Sequence, residues 1–103
     1  MEQHCEHNCS CCKKTVRNRD EQKKLMNRLS RIEGQIRGIR SMVESDAYCN
    51  DILIQSAAVT AAMNAFNREL IASHMRNCVT RELQNGRTEI VDELVATLQK
   101  LMK

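Results

Sequence analysis

AYCNDILIQSAAVTAAMNAFNRELIASHMRNCVTRELQ, residues 47–84, is the stretch whose reading decides the fold. It holds no Pro and no Gly and is rich in Ala, Leu, Ile and Met, so it reads as one long helix. His74 and Cys78 then form an i,i+4 pair on one face. At roughly 1.5 Å of rise per residue, Cys49 lies about 37 Å from them along the axis. One chain cannot bring the three side chains together. Two antiparallel copies can, setting Cys49 of one beside His74 and Cys78 of the other and making two identical sites by symmetry. Two thiolates and an imidazole are a soft ligand set, suited to Cu(I) or Zn(II) rather than to Mg(II) or Ca(II).

Upstream, Leu25, Leu29, Ile32, Ile36, Ile39 and Val43 recur at alternating steps of three and four. This spacing predicts a helix from about Asp20 to Glu44 with one narrow apolar packing seam. Ser45 or Asp46 is the expected N-cap of the long helix, and Gly86 its stop. Downstream, Thr88 is placed to cap a shorter helix with Glu89 and Asp92 in its first turn and apolar residues from Ile90 to Leu101. No stretch alternates with period two. The expectation is an all-α chain: a three-helix protomer built from a long helical hairpin and a short C-terminal helix, pairing as an antiparallel dimer with a four-helix-bundle core. Ala57, Ala58, Ala61, Ala62 and Ala65 would let two hairpins cross closely; the competing reading is simple helix propensity.

Composition agrees with helix on helix. The 103 residues include one Tyr, one Phe and no Trp, so Leu, Ile, Val, Met and Ala must carry the core, and oligomerisation would supply burial that one small domain lacks. No run of about 18 apolar residues exists and the N-terminus is polar, so neither a transmembrane helix nor a signal peptide is expected and the chain is assigned to the cytoplasm. In that reducing compartment its six cysteines read first as metal ligands or redox sensors. The net charge of +3 is segregated: ten Lys or Arg stand against three acids between Lys13 and Arg40, with the flanking segments both acidic. Such asymmetry points to a polyanion, with nucleic acid first.

Within that segment Lys24, Arg28, Arg31 and Gln35 fall on one ridge beside the apolar seam, and Arg37 is a further candidate for DNA contact. The competing reading is a solvated basic face. No helix-turn-helix or zinc finger is evident, so contacts from this ridge would go largely to phosphates. Residues 1–18 lack apolar periodicity and are expected to form a disordered tail ahead of a helical domain at 19–103. In that tail His4, Cys5, His7, Cys9, Cys11 and Cys12 are dense enough to suggest an accessory metal site or a docking point for a copper chaperone. The alternative is adventitious scavenging. No nucleophile and base pair or phosphate-binding Gly loop remains, which argues against an enzyme.

The spacing Cys-x24-His-x3-Cys, the first-helix stretch NRLSRIEGQIRGIR at 27–40 and YCNDIL at 48–53 together resemble the copper-sensitive operon repressor (CsoR/RcnR) family of metal-responsive bacterial regulators. The resemblance runs from about Lys23 to Lys100. It implies a homotetramer, a dimer of dimers, that binds operator DNA when metal-free and is released by Cu(I), derepressing copper-resistance genes. In the copper-sensing branch the ligands match Cys49, His74 and Cys78 in type and spacing. Nickel- or cobalt-sensing branches usually carry His where Cys78 stands, and the persulfide-sensing branch lacks the His. Cu(I) also accepts a three-ligand site, whereas Zn(II) takes a fourth ligand; a tail Cys or His in that position would favour Ni(II) or Zn(II). The resemblance further implies Tyr48 and Glu93 as outer hydrogen-bond partners of the imidazole, Glu93 standing one residue from the usual separation. The remaining alternatives are a nickel, zinc or persulfide sensor on the same scaffold, or a copper-buffering protein that binds no DNA.

Overall fold

The structure, a computed structural model, describes residues 17–102. The tail residues His4, Cys5, His7, Cys9, Cys11 and Cys12 lie outside the described residues. Helix α1 spans Arg19–Glu44. Its N-cap is Asn18, whose Oδ1 accepts the Glu21 amide at 2.7 Å, and Asp20 and Glu21 place negative charge in the first turn. This cap sits at the last residue of the expected tail.

The turn after α1 differs from expectation. Ser45 and Asp46 do not cap the next helix, because both are used to end this one. Asp46 adopts φ 57°, its amide bonds the Val43 carbonyl at 3.2 Å, and the Ala47 amide bonds the Met42 carbonyl at 2.9 Å. This paired arrangement satisfies carbonyls that the last helical turn leaves open, with Asp in the left-handed position where Gly is commonest. The next helix, α2 at Cys49–His74, is capped in backbone conformation by Tyr48, whose side chain makes no capping bond.

From α2 the chain continues without a break through a π-helical turn, Met75–Val79, into α3 at Thr80–Gln84. The junction residues keep right-handed helical dihedrals, and the Thr80 hydroxyl donates to the Met75 carbonyl at 2.8 Å. The long helix therefore exists with one wider turn inside it. It ends where expected: Gly86 takes φ 81°, its amide bonds Leu83 and the Arg87 amide bonds Glu82. Helix α4 covers Glu89–Leu101; Thr88 holds its N-cap position with Glu89 and Asp92 in the first turn, but the Thr88 side chain makes no capping bond.

Helices α1 and α2 form the hairpin. Their antiparallel sense follows from Glu21, in the first turn of α1, which meets Ser73 and Asn77 at the far end of the long helix. Along α2, half-buried Ile52, Val59, Phe66 and Leu70 share one face with buried Ser73, and this face lies on α1. The α1 seam is only partly covered: Leu25 and Ile32 are buried and Leu29 and Ile39 half-buried, while Ile36 and Val43 are exposed. Among the described residues, Leu25, Ile32, Cys78 and Val79 are the buried apolar side chains. The radius of gyration, 17.9 Å, exceeds the roughly 13 Å of a compact 100-residue domain. So thin a core in so long a protomer leaves apolar faces for another surface to cover.

Candidate metal centre

Cys49 opens α2 and His74 closes it, at opposite ends of its 26 residues. At about 100° per residue the two fall within about 20° of each other around the helix. They therefore lie on one line along the rod, roughly a quarter-turn from the face that packs on α1. Cys49 is exposed, His74 half-buried and Cys78 buried. Among the described residues, no three Cys, His, Asp or Glu side chains of one chain converge on a position able to hold a metal.

The π turn begins at Met75, directly after His74, and contains Cys78. Sequence periodicity gave no sign of it, since a π turn needs the same residue types as an α-helix. Such turns occur mostly as single insertions in α-helices and frequently at functional sites. The widened turn is held from the side by Glu21: its Oε1 accepts the Asn77 amide at 3.3 Å and the Ser73 hydroxyl at 3.5 Å, and its Oε2 lies 3.7 Å from the Arg76 guanidinium. Ser73, 4% exposed, also accepts from Asn77 at 3.2 Å. These polar partners were not foreseen from the sequence; only the placement of α1 against the turn reveals them.

Of the residues expected to support the imidazole, Tyr48 is 72% exposed beside Cys49, at the end of α2 remote from His74 in the same chain. Glu93 is exposed on α4. The donor set itself fits a soft ion: an exposed thiol at one end of the helical rod, and an imidazole and a sheltered thiol one turn apart at the other.

A second surface lies across the hairpin. Arg28, Arg31 and Gln35 line one shallow cavity of about 240 Å³ with Ile32 and with Ala62 of α2. Lys24, exposed, continues the same ridge one turn earlier. Arg37, two residues past Gln35, stands about 200° round the helix from it and is not part of this cluster. Ala57, Ala58 and Ala61 are exposed on α2, together with Leu53 at 65% and Ile54 at 55%. On α4, Val91, Val95 and Leu101 are also exposed. No described helix is long and apolar enough to cross a membrane.

Comparison with known proteins gives a consistent result. Residues 21–100 match the family described as metal-sensitive transcriptional repressor. The chain is similar to the copper-sensing transcriptional repressor CsoR of Bacillus subtilis (strain 168): 42% identity over 106 residues, taking in 100% of this chain and 99% of that protein. Among solved structures it resembles the copper-sensing repressor CsoR with Cu(I) from Geobacillus thermodenitrificans NG80-2, with a TM-score of 0.83 and 36% identity over 87% of this chain and 95% of that one. It also resembles the nickel-responsive transcriptional regulator InrS, with a TM-score of 0.67 and 40% identity over 84% of this chain and 98% of that one.

Proposed function

Because the chain belongs to the metal-sensitive transcriptional repressors, we propose that it holds operator DNA when metal-free and releases it when Cu(I) binds Cys49, His74 and Cys78. The observation that carries this reading is the line of donors along the rod, with one thiol at the start of α2 and an imidazole and a second thiol where α2 runs into the π turn. A second copy laid antiparallel along that line pairs each Cys49 with the other copy's His74 and Cys78, and the operation closes two sites at once. The apolar surface left bare on α1, α2 and α4 supports self-association, which we extend to a dimer of dimers; we place the protein in the cytoplasm.

The chain acts as a regulator, not an enzyme. Lys24, Arg28, Arg31 and Gln35 hold phosphates along the operator backbone, Arg28, Arg31 and Gln35 lining one cavity beside Ile32. Cu(I) supplies a strong preference for thiolate, and both thiols give up their protons on binding. Ligation joins two protomers through their long helices, so it favours the assembly in which the donors meet. DNA is released insofar as the basic ridges fit it less well in that assembly. Tyr48 and Glu93 belong to this reading as outer partners of the imidazole, and a copper chaperone as a source of the ion.

Similarity to a nickel-responsive regulator sustains one further reading, in which the same scaffold answers Ni(II). The deciding experiment is an operator-binding titration with and without stoichiometric Cu(I), run beside Ni(II), Zn(II) and a persulfide donor. Copper-dependent release at the lowest loading is the expected result. Release by another inducer alone would reassign the sensor, and failure to bind DNA in any state would make it a copper buffer.

A further inference from the structure

We infer that Glu21 is a positioning residue that couples the His74–Cys78 turn to the basic ridge of α1, an inference that rests on the repressor reading above. Glu21 sits at the third position of α1, where its amide is tied to Asn18 at 2.7 Å. Its side chain, 24% exposed, receives Asn77 at 3.3 Å and Ser73 at 3.5 Å. Ser73 immediately precedes His74, and Asn77 immediately precedes Cys78. One carboxylate of the DNA-facing helix thus bonds the two residues adjoining the two ligands. Lys24, the first member of the basic ridge, follows Glu21 by one helical turn.

The placement matters because the turn is π-helical. A widened turn inside an α-helix is less tightly bonded than its surroundings and is the place where the rod can bend. Metal ligation draws the imidazole and the thiol towards the other copy's Cys49, on a face about a quarter-turn from Glu21. The turn can rotate that way only by carrying the first turn of α1 with it or by breaking the bonds to Glu21, which takes its acceptor from the buried Ser73 hydroxyl and leaves Asn77 bonded to Ser73 alone. Either outcome gives the metal-free and metal-loaded states different contacts at Glu21, and such a difference is what coupling between two sites requires. The Arg76 pair contributes little, since its distance is 3.7 Å and the Arg76 side chain is 61% exposed.

The test measures operator affinity of the full chain without metal and with stoichiometric Cu(I), for the parental protein and for Glu21→Ala, Asn77→Ala, Arg76→Ala and the Glu21→Ala/Asn77→Ala double variant. The readout is the ratio of the two affinities, in which the added positive charge of Glu21→Ala largely cancels. Couplings of this kind typically span about 5- to 150-fold. We expect Glu21→Ala and Asn77→Ala each to reduce the parental ratio at least about fivefold, with the double variant no lower than either single one. Arg76→Ala stays within about twofold of the parental ratio. Copper uptake, followed by competition with a chelator, persists in all of them, so lost release is not lost binding. Glu21→Gln keeps an acceptor oxygen for Asn77 and restores most of the ratio, and it serves where Glu21→Ala does not fold. Parental release with an unchanged ratio in Glu21→Ala or Asn77→Ala, or additive losses in the double variant, would overturn the coupling role and leave the repressor standing. Absence of copper release in the parental chain would overturn the repressor reading and the coupling with it.

Discussion

The two ends of α2 are built in opposite ways. At the start, Tyr48 provides only backbone capping, and both Tyr48 and Cys49 face solvent. At the finish, Ser73, Cys78 and Val79 are buried and the carboxylate of Glu21 holds the turn. One end is anchored in its own protomer and the other is left open. On the proposed reading, a site divided between them would unite a fixed pair of donors with a donor that only a second chain can deliver, so that occupancy would report on assembly as well as on metal.

The sharpest way to break this comparison is to remove donors from each end separately. Cys49→Ala and His74→Ala should each still bind operator, with the effect of Cu(I) falling from the typical tens-fold to about none, and Cys78→Ala should lose copper affinity as well. Mixing Cys49→Ala chains with His74→Ala/Cys78→Ala chains should restore one tight site per heterodimer, measured by chelator competition. Verified heterodimers without tight binding would show that the donors do not cross between copies.

Packing comes next in size. Leu25→Ala, beside the anchored end, should cost about 2–5 kcal/mol in denaturant unfolding, because it empties part of a very small core. Leu53→Ala, at the open end, should instead weaken self-association seen by sedimentation; equal loss of folding stability in both would mean the ends are equally anchored. On the DNA side, Arg28→Ala or Arg31→Ala should flatten the slope of log affinity against log salt by about 0.9 each, with copper affinity little changed. Unchanged slopes in both would move the DNA surface away from the cavity they line.

The smallest effects belong to the two turns flanking the rod. Gly86→Ala forces a Cβ into a left-handed position and should destabilise by about 1 kcal/mol, while Asp46→Gly should be neutral or stabilising by less than that. Thermal melts of the two variants check the pair, and a destabilised Asp46→Gly would reveal a role for that carboxylate.

Much of this architecture was readable before any coordinates. The α1 seam, the long Pro- and Gly-free helix and the stop at Gly86 follow from periodicity and from the backbone freedom of glycine, which are local properties. The cap at Asp46 was misread because Asp serves equally to start a helix and, in the left-handed conformation, to finish one. Asn18 escaped notice inside a stretch with no apolar rhythm. The ligand spacing was visible in the chain, but the π turn and its tether were not, since Glu21 and Asn77 lie far apart in sequence and meet only through the hairpin.

The wider turn at Met75–Val79 also governs how the chain tolerates changes in length. A π turn stores one residue beyond the α-helical repeat. Deleting a residue there would let the helix close into ordinary α form with α3 and α4 still in phase, though the spacing of His74 and Cys78 would contract if the loss fell between them. The same deletion in the middle of α2 would swing everything after it by about 100° and carry His74 off the line it shares with Cys49. Single-residue deletions should therefore be survivable around Val79 and ruinous around Ala61.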